Sequence, residues 1–169
     1  MSFLSDAIET LSVTPLRAAE LTQGLSEEQL SHRVNPEFFS LRESVLHLRD
    51  IDVEGYEPRI QRILSEASPV LADVNGAQLA VDRKYNEQPL DPALADLLLT
   101  RATSMERLRA CTEADLERTA VMQGAGTVTL RRLLEMWMQH DADHLNDMVQ
   151  LRRSVEESAP PSFGKHEAA

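Results

Sequence analysis

From Leu130 to Leu151, apolar residues recur at the three-and-four spacing that lines one side of an α-helix: Leu130, Leu133, Leu134, Trp137, Leu145, Met148 and Leu151. Asp141 and His144 stand in the same stripe, and His140 lies on its flank. A stripe of this length must be buried against other helices, which points the chain toward a packed helical bundle. The same geometry sets His140 and His144 one turn apart on one side, where both imidazoles can reach a common point. That is metal-ligand spacing, although spacing alone more often marks a pair of satisfied or surface histidines. A third ligand on another helix separates the two readings.

Three further helical patterns precede this one. Phe3 to Leu25 is helix-prone, with Leu4, Ala7, Ile8, Leu11, Ala18 and Leu21 as apolar markers and Gly24 as its end. Pro15, behind Thr14, either kinks this helix or starts a new one. Ser26-Glu27-Glu28-Gln29 has capping-box form for a short turn through Leu30, and Ser40-Leu41-Arg42-Glu43 is a second capping box that opens a helix at Leu41. That helix turns Leu41, Val45, Leu48 and Ile51 toward the core, with His47 on the flank, and Pro58 kinks or breaks it before Ile60 and Ile63.

Val70 to Pro89 reads as a long connection with at most a helical turn from Ala77 to Val81. Asp91-Pro92 opens a third long helix carrying Leu94, Leu97, Leu98, Met105 and Leu108, and Cys111 at its end reads as a small buried residue. Gly124-Ala125-Gly126 is a flexible connection before Thr129 caps the last helix. The glycines would also suit a hairpin, but no strand pattern flanks them. The expected fold is therefore an all-α four-helix bundle with a long crossing loop between helices two and three. It forms a single domain over residues 1–155, with a tail at 156–169.

Composition narrows the partners. The net charge of −11, from 28 acidic and 17 basic residues, repels phosphate backbones, so nucleic acid is not an expected partner. No stretch is apolar for the length that a bilayer requires, and the start has neither a basic leader nor an apolar signal region. The single cysteine forms no internal disulfide. These features describe a soluble, cytoplasmic protein acting on a small molecule, and a symmetric homodimer is compatible with exposed helix faces.

Of the other histidines, His32 near a loop and His166 in the tail read as solvent-exposed. His47 lies one and a half turns into a helix, beside its apolar face. If helices two and four are neighbours, His47, His140 and His144 can converge on one ion, and three imidazoles with open positions left over are the ligand set of a catalytic metal.

These residues resemble the DinB/YfiT-like metal-binding four-helix bundles, over about Thr14 to Arg153. The resemblance rests on Thr14-Pro15 with Gly24-Leu25-Ser26-Glu27-Glu28-Gln29-Leu30, and on Phe39-Ser40-Leu41-Arg42-Glu43 leading to His47-Leu48 and Asp50. It rests also on Tyr85-Asn86, and on Thr129-Leu130 leading to His140-Asp141 and His144-Leu145. It implies one divalent metal, usually zinc or nickel, on His47, His140 and His144. Two positions depart from the family pattern: Phe39 stands where the family often has Trp, and Asp147 where it often has Gln.

The resemblance further implies a metal-dependent enzyme, a thiol-dependent S-transferase or isomerase that uses a low-molecular-weight thiol on small electrophiles. The alternatives are a metal-dependent hydrolase and a non-enzymatic, stress-related metal-binding protein. Asp50 and Asp143, one turn from His47 and His140, are candidates to orient imidazoles, and Tyr85 is a candidate donor at the opening.

Overall fold

The computed structural model describes residues 2–157; His166 and the tail from residue 158 onward lie outside the described residues. The principal helices are α1 (Phe3–Thr22), α3 (Leu41–Ile51), α6 (Leu90–Arg109) and α7 (Leu130–Glu157), with a short α2 (Glu27–Ser31) between the first two. Both expected capping boxes close: Ser26 on Gln29 and Ser40 on Glu43. Helices α1 and α3 each pack against α6 and α7. Helices α1 and α3 thus lie across one diagonal of the bundle and α6 and α7 across the other, and α3 becomes the neighbour of α7.

The two interior prolines are absorbed in different ways. Helix α1 runs unbroken through Pro15. At Pro58 the chain inserts a π-helical turn, Asp52–Tyr56, between α3 and α4 (Glu57–Ser65), and the proline then sits in the first turn of α4, where its missing N–H is tolerated. The extra residue of the π-turn points both Asp52 and Tyr56 inward. Likewise α6 begins at Leu90, earlier than expected, with Asp91 and Pro92 inside its first turn.

The connection after α4 is more structured than its polar sequence suggests. It holds β1 (Val70–Leu71), α5 (Gly76–Asp82) capped by the Asn75 side chain, and a 3₁₀ turn at Tyr85–Glu87. The hairpin discounted from sequence is also present: β2 (Thr119–Met122) pairs antiparallel with β3 (Gly126–Thr129), and β1 adds to β2 in parallel. Gly124 and Gly126 adopt positive φ of 81° and 76° at the turn, which glycine tolerates without strain. Four-residue strands are too short to register as an alternating pattern. They hold because Leu71, Ala120, Met122 and Val128 are buried against the helices.

The core is divided. One apolar cluster joins Leu4, Leu11, Ile60, Leu108, Leu133 and Trp137; the other joins Leu46, Leu48, Leu97, Met148 and Leu151. Between them, each principal helix contributes a buried polar residue or more: Thr14, His47, Arg101 and Asp141. Among the described residues, no helix is long and apolar enough to cross a membrane.

Candidate metal centre

The Ser40 capping box fixes the start of α3, with the Ser40 hydroxyl accepting from the Glu43 amide at 3.2 Å and the Glu43 carboxylate accepting from the Ser40 amide at 2.9 Å. From that fixed start, the helical period carries His47 to the side facing α7. There, His47 Nε2 lies 3.2 Å from His140 Nε2, and the His144 ring centroid lies 4.5 Å from each of the other two. One ring nitrogen from each of the three lies within 4.8 Å of the others.

Two of the three, His47 and His144, are neutral near pH 7 for a physical reason. Burial pushes His47 down to about 3, with His144 and His140 adding repulsion, and burial with His140 pushes His144 down to about 4. Neutral imidazoles keep the lone pairs that a cation needs. Two nitrogens bound at about 2.0–2.1 Å to a tetrahedral ion stand roughly 3.3 Å apart, so the His47–His140 separation of 3.2 Å suits a shared ion.

The carboxylate beside the trio is Asp141, which the sequence reading placed in the apolar stripe without a role. Its Oδ1 lies 3.4 Å from His140 Nδ1, an arrangement in which Nδ1–H donates and Nε2 faces the other histidines. Burial opposes ionisation of Asp141, but Arg101, His140 and Thr14 hold its carboxyl below the ordinary range.

The other sequence candidates lie elsewhere. Asp50 accepts at 2.6 Å from Arg49 Nε, Arg83 Nη1 and the Tyr85 hydroxyl, so it ties the crossing segment to α3. Tyr85 is fully buried and donates to Asp50; it does not line an opening, and burial pushes its hydroxyl pKa up. Asp143 is exposed and accepts from Gln139 Nε2 at 2.7 Å, the preceding turn of its own helix. Spacing of one turn placed both carboxylates near a histidine, but the bundle turned them toward other partners. Cys111 is half-buried against the Arg107 carbonyl, and burial raises its thiol pKa, so it is no reactive thiolate.

Residues 10–148 match the sequence family described as the DinB superfamily. The chain belongs to the DinB superfamily. Among solved structures it is similar to YfiT from Bacillus subtilis, described as a probable metal-dependent hydrolase with an unusual four-helix bundle topology. The TM-score is 0.83 over 90% of this chain and 87% of that one, at 19% identity, a likeness that bears on the fold. Among curated proteins, none matches.

In this DinB bundle a cavity of about 710 Å³ opens beside His144, walled by Phe38, Phe39 and Leu151 on its apolar side and by Glu37 and Asp147 on its acidic side. Among the described residues, no lysine or arginine lines it. The two positions where the chain departs from the family pattern both border the site. The Phe39 ring stacks toward His144 at 6.4 Å and lies 5.1 Å from His47, and Asp147 follows His144 by one turn on the cavity wall.

Proposed function

We propose that His47, His140 and His144 hold one divalent metal ion, zinc or nickel, and that the centre hydrolyses a small ester or amide with an apolar body. The observation that carries this reading is the convergence of three imidazole nitrogens, with His144 on the wall of a largely apolar cavity. When bound, such an ion supplies Lewis acidity and a nucleophile at neutral pH. The chain's own part is to keep His47 and His144 deprotonated by burial and to seat the apolar body against Phe38, Phe39 and Leu151. The hydrolase description of YfiT agrees in class.

Thiol-dependent transfer or isomerisation on the same ion is the second reading. It is favoured because Asp141, the carboxylate that meets the trio, is committed to Arg101 and is not free to act as a base. With Asp147 and Glu37 on the wall and no basic residue beside them among the described residues, the thiol would be uncharged or cationic.

Elemental analysis of protein purified without chelators tests the metal. Near-stoichiometric zinc or nickel that disappears in His144→Ala is expected, and wild-type protein that takes up neither ion overturns the reading. Chelator-sensitive turnover of uncharged aryl esters supports hydrolysis, whereas turnover confined to added thiols assigns the second chemistry.

A further inference from the structure

We propose that Arg101 is the positioning residue for the candidate ligand His140, acting through Asp141, and that Pro15 on α1 belongs to the same device. This rests on the metal reading above and concerns what lies behind it. Arg101 is 1% exposed, an unusual place for a guanidinium, and it falls on the same stripe of α6 as Leu97, Met105 and Leu108. Its Nε and Nη2 donate to the two oxygens of Asp52 at 2.8 and 3.1 Å. Its Nη1 donates at 2.6 Å both to Asp141 Oδ2 and to the Leu11 carbonyl. The guanidinium carbon sits 4.5 Å from the Trp137 ring centroid, and the Trp137 indole donates to Asp52 at 3.0 Å, closing the cluster.

The Leu11 carbonyl is available because of Pro15. In a helix the carbonyl of residue 11 accepts from the amide of residue 15, and proline has no amide hydrogen. The helix nonetheless continues, and Arg101 from α6 supplies the missing donor. The guanidinium fork is planar and its donors are rigidly disposed. Held by α1 on one side and by Asp52 of the π-turn on the other, it fixes the plane of the Asp141 carboxylate. With Oδ2 taken, Oδ1 is directed at His140 Nδ1, and His140 Nε2 is left to face His47. The cluster of two carboxylates and one guanidinium carries one net negative charge in a buried layer, a charge that a cation on the adjacent imidazoles offsets.

A network that merely ties helices together would make the same contacts, so the test must separate orientation from stability. Nitrogen-15 NMR of the zinc-free protein should find His140 as the Nδ1–H tautomer, with Asp141→Asn admitting the Nε2–H form. Zinc affinity, measured by chelator competition, should fall roughly tenfold to a hundredfold in Asp141→Asn. Arg101→Lys, which keeps the charge and loses the fork, should fall in the same direction.

The deciding variant is Pro15→Ala, which returns an amide hydrogen to compete for the Leu11 carbonyl. It removes a helix-interior proline, so the zinc-free melting temperature should hold or rise while zinc affinity drops several-fold. A purely structural network requires affinity to follow stability instead. An Nε2–H tautomer in wild type, or unchanged affinity in Pro15→Ala, overturns the proposal. The tautomer measurement needs no metal, so it stands apart from failure of the metal reading itself.

Discussion

Gly76 backs directly onto the imidazole of His47: a Cβ built at residue 76 would fall 2.3 Å from His47 Cε1 and 2.7 Å from Nδ1. Its φ needs no glycine, so the close approach of the α5 backbone is what excludes a side chain. The crossing segment thus forms the rear wall of the ring. Gly76→Ala should leave the bundle folded, because alanine suits the first turn of α5, but it must displace the His47 ring. The expected result is a zinc affinity lowered roughly tenfold or more, read by chelator competition, with a nearly unchanged melting temperature of the zinc-free protein.

The metal-free protein should lose stability as it is acidified. In the folded chain His47 titrates near 3 and His144 near 4, whereas in the unfolded chain both titrate near 6.5. Below about 6.5 the unfolded state therefore binds more protons, and the stability present above that pH is lost as pH falls toward 4. Denaturant midpoints of chelated protein should decline between about pH 6.5 and 5. His47→Gln should flatten that slope, and a wild-type midpoint independent of pH across this window would contradict the burial argument.

Charge on the cavity wall should select substrates. Asp147 and Glu37 line it without a basic residue among the described residues, so a cationic aryl ester should be favoured over an anionic one of the same size. Asp147→Asn should reduce that preference several-fold in kcat/KM while leaving an uncharged ester little affected. Equal turnover of cationic and anionic esters by the wild type would show that the wall does not discriminate.

Trp137 has two partners that can be separated by mutation. Its ring stacks on Tyr56 at 4.7 Å and 11°, and its indole N–H donates to the buried Asp52. Trp137→Phe keeps a stacked ring but leaves the buried Asp52 one donor short. A loss of about 2–3 kcal/mol is expected, measured by denaturant unfolding of the metal-free protein.

The long helices were legible because burial of a bundle face writes a 3.6-residue period into the chain, and capping boxes marked the starts of α3 at Ser40 and of the short α2 at Ser26. The β-hairpin was not, because Thr119–Met122 and Gly126–Thr129 are too short to carry a period and depend on β1 and the helical core. A signal for the buried network was present and unread: Arg101 and Asp141 are charges at stripe positions, and a charge there must find a partner.

What the sequence determined by itself is local: the helix faces, their caps, and the one-turn spacing of His140 and His144, since all of these follow from backbone geometry within a few residues. The tertiary structure decided the rest. It made α3 the neighbour of α7, so that His47 could join the pair, and it turned Asp50 and Asp143 away while bringing Asp141 to His140. It also paired the Leu11 carbonyl left by Pro15 with an arginine some ninety residues away. Sequence spacing gives a side chain's direction on its own helix, but which partner meets it depends on how the helices are arranged around the shared core.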